Sequence, residues 1–401
     1  MIASRHREPP PLAGVLLVLC LNAPALACLW DNDTLREERR GLPGVAEILS
    51  GRFERHSEFF YRDRVKKMEA RPAVDPNDLA AYDNLAVAHE KLGDPDAAIA
   101  VMLRKDKLRP GEYTTHANLG TFYLHKGDFE NGITHIRKAI EINPDAHFGR
   151  EKYQLQAAEY LLRAKDDPAV FDEGSFVLPI VLPELTKDLD AKDLPSAERI
   201  EAYQHQMEHR VRRRRGREAD ASIDEAIEGI VGMIRFGTGT SPHLYFALGD
   251  LLAARGDKHL AYRAYRRAMD YAHPRPEMVK TAMEQVKAMV ERPRDMADAV
   301  IAQERADAAK WVAAYQAYED ALVRAGKDTD DEANYAAFYS QHGPATPRER
   351  PPYHSYLLFD SVGLTILIAL GLAMSGVILL VLVVRRLALG KAAGHATAKA
   401  A

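Results

Sequence analysis

Prolines spaced 34 residues apart mark an internal repeat, which constrains the fold of this chain more than any other feature. The three prolines are Pro76, Pro110 and Pro144. Each segment between them has a glycine-aspartate pair near its middle, Gly93-Asp94 in the first and Gly127-Asp128 in the second. Glycine and aspartate favour turns, and proline ends a helix because it has no backbone N–H to donate. Each repeat is therefore predicted to be a pair of antiparallel helices.

Small and large residues alternate within each segment as closely packed helix pairs require. Ala86 and the equivalent Gly120 are small, so that two helices can approach closely at these positions. The aligned positions are Tyr82, Leu85, Ala86, His89, Gly93, Asp94, Ala98, Met102 and Pro110 in the first segment and His116, Leu119, Gly120, Tyr123, Gly127, Asp128, Gly132, Ile136, Ala139 and Pro144 in the second. This pattern resembles the tetratricopeptide repeat. The resemblance implies an all-α helical solenoid that binds peptides on a concave face.

A third copy of the pattern begins at Tyr245, but its distance from the second copy is not a multiple of 34. This offset predicts an irregular insertion in the solenoid. The predicted organisation is a signal peptide over 1–27, a degenerate helical segment over 28–76, repeats over 77–165, the irregular insertion over 166–195, helical pairs with a capping helix over 196–292, a long helix over 293–343, a proline-rich spacer over 344–357, one C-terminal transmembrane helix over 358–384 and a basic tail over 385–401.

The two ends of the chain predict where it is located. A charged start, an apolar stretch at 12–21 and the Ala25-Leu26-Ala27 ending have the layout of a secretory signal peptide, with an uncleaved anchor as the alternative. Val362–Val384 has 23 residues without a charge, long enough to span a bilayer, and basic residues follow it. By the positive-inside rule the tail is cytoplasmic and the repeats are extracytoplasmic. The expected location is the cell membrane, with a single pass.

Two further features concern the membrane ends. After cleavage Cys28 is the first residue and the only cysteine, because Cys20 leaves with the signal peptide. A free thiol is the favoured outcome, and lipidation of Cys28 is the alternative. Gly371 and Ser375 are four positions apart, a small-residue pair that would let two transmembrane helices pack as a homodimer.

A partner-binding groove is predicted from the resemblance, on the first helix of each repeat. The residues projected onto it are Asp83, Asn84, Glu90, Thr114, Asn118, Thr121, His125, His243, Phe246 and Asp250. The alternative is that these residues are solvated helix faces. Asn118 matches one position of the clamp with which some tetratricopeptide proteins bind a partner's C-terminal carboxylate. The other clamp positions are not matched, which disfavours binding of chaperone tails.

Other chemistry is not indicated by the sequence. No catalytic motif is present, so no catalytic residue and no cofactor are predicted. His205 and His209 share a helix face but lack a third ligand, so no metal site is expected. The basic run Arg210–Arg217 lacks the aromatic residues of a nucleic-acid surface, and a solvated helix end is favoured over contact with anionic lipid or envelope polymer. No nucleic acid is expected as a partner.

The start of the mature chain carries a second resemblance. The run Cys28–Leu35 looks like the opening of uncharacterised exported bacterial tetratricopeptide proteins with a C-terminal transmembrane helix, which implies no activity. The favoured function is a membrane-anchored scaffold that binds a protein or peptide in the cell envelope. The alternatives are an envelope enzyme with a scattered active site near the irregular insertion, which a pocket of buried ionisable residues would favour, and a self-assembling structural component.

Overall fold

The computed structural model describes residues 29–181, 217–290 and 297–345, and this part of the chain forms helices and turns without a strand. The all-α class predicted from the repeats is therefore confirmed for these residues. None of the helices in these three ranges is long and apolar enough to cross a membrane. The predicted signal peptide, Cys28, the Arg210–Arg217 run up to residue 216, and the predicted transmembrane helix and tail lie outside the described residues.

The helices are numbered in chain order. They are α1 Asn32–Arg40, α2 Val45–Ser50, α3 Glu58–Val74, α4 Leu79–Lys91, α5 Pro95–Leu108, α6 Tyr113–Lys126, α7 Phe129–Ile142, α8 Arg150–Asp166, α9 Leu178–Val181, α10 Arg217–Phe236, α11 Pro242–Arg255, α12 Lys258–Asp270, α13 Pro276–Ala288, α14 Asp298–Arg324 and α15 Ala336–His342. Short 3-10 helices occupy Ala146–Gly149, Pro168–Glu173 and Glu332–Tyr335.

The turns inside the two repeats form where the glycine-aspartate pairs predicted them. Gly93 and Gly127 have φ angles of 81° and 86°, in the left-handed region that only glycine adopts without strain. Asp94 and Asp128 then cap α5 and α7, accepting hydrogen bonds from the backbone N–H of the third residue of each helix, at 2.9 Å and 3.2 Å. The chain therefore reverses direction within each repeat and packs α4 on α5 and α6 on α7.

The close helix crossing predicted at Gly120 is present between α6 and α7. A Cβ added at Gly120 would lie 2.6 Å from Cγ1 of Ile136 and 3.1 Å from its backbone nitrogen. The facing Gly132 is equally restricted, since a Cβ there would lie 2.7 Å from Cδ2 of Leu124. The two helix backbones touch because neither glycine has a side chain.

The third copy of the pattern forms the pair α11–α12 and uses the same device. A Cβ added at Gly249 would lie 2.4 Å from two carbons of the Tyr265 ring, so the aromatic ring fills the space that the glycine leaves. Gly256, with φ 101°, makes the turn between the two helices. Helix α13 follows α12 and packs against it, where the sequence placed the capping helix.

The described part of the insertion is helical rather than extended. After α8 ends at Asp166, the chain forms the 3-10 helix and then α9. Val177 and Leu178 are buried in the main core, in the same cluster as Tyr160 and the apolar residues of α10. The helix α10 packs against both α8 and α11 and so connects the early repeats with the third pair. Residues 182–216 lie outside the described ranges.

The long helix α14 contacts the start of the chain, a contact that the sequence did not predict. It packs against α2 and α3, and Glu319, near its C-terminal end, is fully buried. Glu319 Oε1 lies 2.8 Å from Nδ1 of His56, which is 263 positions earlier. Asp320 accepts a hydrogen bond from Ser57, the cap of α3. The two ends of this helical array are therefore joined.

Candidate functional site

Asn118 binds the backbone of the chain's own N-terminal segment. Its Oδ1 accepts a hydrogen bond from the N–H of Trp30 at 2.8 Å, and its Nδ2 donates to the carbonyl of Trp30 at 3.0 Å. Asn84 accepts a hydrogen bond from the N–H of Asn32 at 3.0 Å. Both asparagines are buried. The first helices of the two repeats therefore hold residues 30–32 by their backbone, as a peptide-binding groove holds a ligand.

Side chains of the same segment fill the space around these hydrogen bonds. Leu29 is 1% exposed and belongs to the buried cluster that contains Tyr82, Phe122 and Phe236. The Trp30 ring meets the Tyr113 ring edge-on, with 5.3 Å between the centroids. Apolar packing therefore anchors the segment at two successive residues, and its backbone polar groups are satisfied by the asparagines.

A buried ion pair between Lys105 and Asp83 lies next to Asn118. Lys105 donates to both carboxylate oxygens of Asp83 at 2.6 Å and 2.7 Å, and to the hydroxyl of Thr114 at 2.5 Å. Asp83 Oδ1 also accepts a hydrogen bond from Nδ2 of Asn118 at 3.3 Å. Burial raises the pKa of Asp83 to about 6, although Lys105 and its other hydrogen-bond donors favour the charged form. Of the predicted groove residues, Asp83 thus contacts Asn118 directly, and Thr114 bonds to Lys105 and Asp83.

The remaining residues of the early repeats are also engaged inside the chain. Glu90 pairs with Nδ1 of His125, and both side chains are 9% exposed. Thr121 is fully buried; its hydroxyl donates to the carbonyl of Ala117 at 3.1 Å and accepts from Gln154 of α8 at 3.0 Å. The expectation of an open polar groove, or of solvated helix faces, therefore needs a correction. In this structure the face is covered by the N-terminal segment and by α8.

The three late residues of the predicted groove lie in a different environment. The His243 ring stacks on Phe171 of the insertion, with centroids 5.0 Å apart. Phe246 is buried and packs on the Tyr265 ring, and Asp250 is fully buried and accepts a hydrogen bond from the Tyr265 hydroxyl at 2.7 Å. Burial lowers the pKa of His243 to about 4, so this imidazole is neutral. These residues are packing elements of the third pair and do not surround the segment bound by Asn118.

A cavity of about 200 Å³ lies beside the N-terminal segment, and the sequence analysis missed it. Its walls come from residues 29–37, the loop before α3 with the start of α3, the end of α4, and residues 234–239 at and after the end of α10. The charged residues of the wall are Asp31, Asp33, Glu37, Arg55, His56, Lys91 and Arg235. The walls come from four separate segments of the chain, so no local sequence pattern predicts the cavity. The only indication in the sequence was the pair of acidic residues Asp31 and Asp33 in the Cys28–Leu35 run.

One side of this cavity is a fixed network of charges. Asp33 pairs with Arg64, and its Oδ2 lies 3.2 Å from Nε2 of His56. Burial would raise the pKa of Asp33, but Arg64 and His56 hold it well below the usual range. Burial would lower the pKa of His56, but Asp33 and Glu319 raise it to about 10. His56 is therefore a permanent cation at neutral pH and is not available as a general base.

The other side of the cavity is less completely paired. Burial, followed by the charge of Asp33, raises the pKa of Asp31. Burial also raises the pKa of Glu37, although Glu37 pairs with Arg235. Burial and then the positive charge of Arg235 lower the pKa of Lys91 to about 8. These shifts show that the cavity disfavours charges that lack a close partner.

The comparisons with known proteins bear on the two early repeats. Residues 79–111 and 113–146 match the family model of the tetratricopeptide repeat. This match supports a tetratricopeptide-repeat family. It covers α4–α5 and α6–α7, the two pairs whose first helices carry Asn84 and Asn118. No curated protein matches the chain. Repeats of this type suggest a scaffold for protein–protein interaction, and nothing in the match points to a catalytic activity.

Proposed function

We propose that this protein is a membrane-anchored, extracytoplasmic scaffold whose tetratricopeptide groove binds an extended segment of a protein partner. The observation that carries the proposal is the pair of hydrogen bonds between the Asn118 carboxamide and the backbone of Trp30, at 2.8 Å and 3.0 Å. A carboxamide that satisfies the N–H and the C=O of one residue recognises extended backbone whatever its side chain. Specificity then comes from the neighbouring aromatic and apolar contacts.

The bound segment indicates which partner chemistry the groove accepts. An apolar residue and an aromatic residue enter first, as Leu29 and Trp30 do, and polar residues follow, as Asp31 and Asn32 do. A partner segment of this kind competes with residues 29–32 for the same hydrogen bonds. The N-terminal segment is thus an internal ligand. A partner segment has to bind the groove more favourably than residues 29–32 do in order to displace them.

Membrane anchoring and orientation rest on the sequence pattern. Val362–Val384 is charge-free, and Arg385, Arg386 and Lys391 follow it. A reporter enzyme fused after Ala401 is expected to be active in the cytoplasm, because the basic tail resists translocation. Activity of an export-dependent reporter at the same position would contradict this orientation. The homodimer predicted from Gly371 and Ser375, and the lipid on Cys28, stay predictions.

The enzyme alternative gains one observation, the cavity of ionisable residues. Its walls do not include the insertion at 166–195, where the sequence analysis placed an active site. The charge of His56 is fixed, and Asp33 and Glu37 are taken up in ion pairs with Arg64 and Arg235. Groups held in this way are not free to exchange protons with a ligand. These three groups therefore supply no free acid or base, and the enzyme alternative rests on Asp31 and Lys91, whose pKa values are shifted.

A peptide added in trans tests the groove. In the variant Trp30→Ala the internal segment loses its ring contact with Tyr113, while the asparagines remain. A labelled peptide with the sequence of residues 28–35, carrying serine at the cysteine position, is expected to bind Trp30→Ala at least about tenfold more tightly than wild type. Fluorescence anisotropy measures the affinity, and a scrambled peptide is the control.

The same experiment has a second arm. Adding Asn118→Ala to the Trp30→Ala protein is expected to abolish binding of the peptide, because the backbone hydrogen bonds are lost. Binding that is indifferent to Asn118, or no binding to a Trp30→Ala protein with wild-type helicity, would contradict the proposed groove.

A further inference from the structure

The cavity beside the N-terminal segment has more hydrogen-bond donors than acceptors. Its apolar wall is formed by Leu29, Phe53, Val87, Ile234 and Phe236. Asp33 and Glu37 each bind a cation of the protein, Arg64 and Arg235. The remaining charged groups are Asp31 on the acidic side and Arg55 and Lys91 on the basic side, with the imidazolium of His56 between Asp33 and Glu319.

Arg55 stands at the mouth of the cavity without a carboxylate partner in the described part of the chain. Its guanidinium lies over the Phe53 ring, 4.1 Å from the centroid. Its Nη2 lies 3.8 Å and 3.9 Å from the Cβ positions that Gly51 and Gly239 would have. Both glycines have left-handed φ angles, 86° and 71°. The guanidinium is thus flanked by two positions that have no side chain, and no hydrogen bond from its N–H groups to another described group is found.

Lys91 lies in the same wall and is bound only to backbone. Its ammonium donates to the carbonyls of Phe236 and Gly237, the second at 3.2 Å. No carboxylate lies within ion-pair distance of it in the described ranges. An ammonium has three N–H donors, so one remains. Tyr61 also lines the cavity, and no hydrogen bond of its hydroxyl to another described group is found.

The acceptors of the cavity do not balance these donors. Oδ1 of Asp31 accepts the N–H of Thr34 at 2.8 Å, and the other oxygen lies 3.9 Å from Arg64. The raised pKa of Asp31 and the lowered pKa of Lys91 have burial as their first cause. A cation removed from water without a partner is costly, and an anion beside it offsets that cost. A ligand rich in acceptors and negatively charged would complete this arrangement.

We propose that this cavity binds a small molecule through an oxyanion, a carboxylate or a phosphate, that receives hydrogen bonds from Arg55, Lys91 and Tyr61. The volume of about 200 Å³ is below the roughly 300–1,000 Å³ of sites for drug-sized ligands, so the ligand is a small metabolite. Its apolar part packs on Phe53 and Phe236. Residues 29–37 form one wall, so the site is complete only while the N-terminal segment is bound.

Calorimetric titration of the full-length protein tests the site, with succinate and inorganic phosphate as separate probes. The probes distinguish a carboxylate from a phosphate ligand. We expect one of them to bind with one-to-one stoichiometry and a dissociation constant below about 1 mM. Arg55→Gln and Lys91→Gln are each expected to weaken binding by about tenfold or more, because each removes a charge-assisted hydrogen bond.

The matched control is Arg109→Gln, since Arg109 is an exposed arginine at the end of α5, away from the cavity. Its affinity should equal that of wild type. Absence of binding with both probes overturns the proposal, and so does binding that Arg55→Gln leaves unchanged. Arg55 lies at the cavity mouth rather than in the core, so its variant gives a result even where Lys91→Gln fails to fold. The site needs no protein partner, so its failure leaves the groove proposal standing.

Discussion

Asn84 and Asn118 occupy the same position of two consecutive repeats, 34 residues apart, and both bind the backbone of one short segment. Asn84 accepts the N–H of Asn32, and Asn118 binds both backbone groups of Trp30. The repeat places the two carboxamides along the groove, and an extended chain offers its backbone groups at a matching spacing. Two equivalent positions of the repeat therefore bind a single extended segment that has no repeat of its own.

Removing the Asn118 carboxamide should destabilise the fold as well as the groove. Asn118→Ala leaves the N–H and C=O of Trp30 without their partner in a partly buried site, which costs about 1–3 kcal/mol in free energy of unfolding. Asn131→Ala on α7 is the matched control, because Asn131 is exposed, and it should change stability by no more than about 0.5 kcal/mol. Urea denaturation followed by circular dichroism measures both. Equal stabilities of the two variants would show that the Trp30 hydrogen bonds are not formed.

A methyl group at Gly120 should separate the two helices of the second repeat. Gly120→Ala places its Cβ against Ile136, where the contacts would be 2.6 Å and 3.1 Å, and overpacking of this kind costs about 1–3 kcal/mol. The double variant Gly120→Ala with Ile136→Ala should be less destabilised than the sum of the two single variants, because the nearer clash is with the Ile136 side chain. Thermal unfolding of the four proteins provides the cycle. If the losses of stability in the two single variants simply add up in the double variant, the close crossing of α6 and α7 at Gly120 would be contradicted.

The pH dependence of stability should carry the signature of His56. The folded-state pKa of about 10 lies above that of an unfolded histidine, about 6.5, so the stabilisation is complete below pH 6.5 and is lost as pH rises towards 10. Relative to His56→Gln, the wild-type free energy of unfolding should fall between pH 7 and 8 by at most about 1.4 kcal/mol. Lys91, with its folded pKa of about 8, begins to raise stability with pH within the same interval, but this contribution is common to wild type and His56→Gln and cancels in the comparison. If the free energies of unfolding of wild type and His56→Gln change with pH in parallel, His56 does not form its two ion pairs.

The proposed anchor predicts the behaviour of a shortened chain. Ending the chain after Pro347 leaves the compact unit that ends at Thr346 and removes Val362–Val384. The shortened protein, with Cys28→Ser to exclude a lipid, should appear in the soluble envelope fraction, while the full chain should resist carbonate extraction. Each apolar side chain taken out of lipid costs about 1.5–3 kcal/mol, which explains the expected difference. Sedimentation of the shortened, folded protein with membranes would mean that another segment anchors it.

The sequence predicted those parts of the fold that depend on local spacing. Gly120, the third copy beginning at Tyr245 and the glycine-aspartate turns were identified because each position has a fixed chemical requirement that recurs with the repeat. The helix after the third pair was predicted for the same reason, since an array has to cover its last apolar face. These inferences need only residues within about one repeat of each other.

The contacts that define the candidate site could not be predicted in this way. Asn118 was named as a groove residue, but its occupant lies 88 positions earlier, in a segment with no periodic pattern. The contact between His56 and Glu319 spans 263 positions and joins the two ends of the array. Burial of the predicted groove follows from these contacts, so it became visible only with the structure. The cavity likewise requires four segments to come together.

Hydrogen–deuterium exchange of the N-terminal segment tests the central claim, that residues 29–32 occupy the tetratricopeptide groove. Mass spectrometry of the full-length protein follows a peptide that covers residues 29–35. Its amides should exchange slowly in wild type and rapidly in the double variant Asn84→Ala with Asn118→Ala, while peptides from α11 and α12 keep their protection. Rapid exchange of residues 29–35 in wild type, with α6 still protected, would show that the groove is empty and would contradict this account.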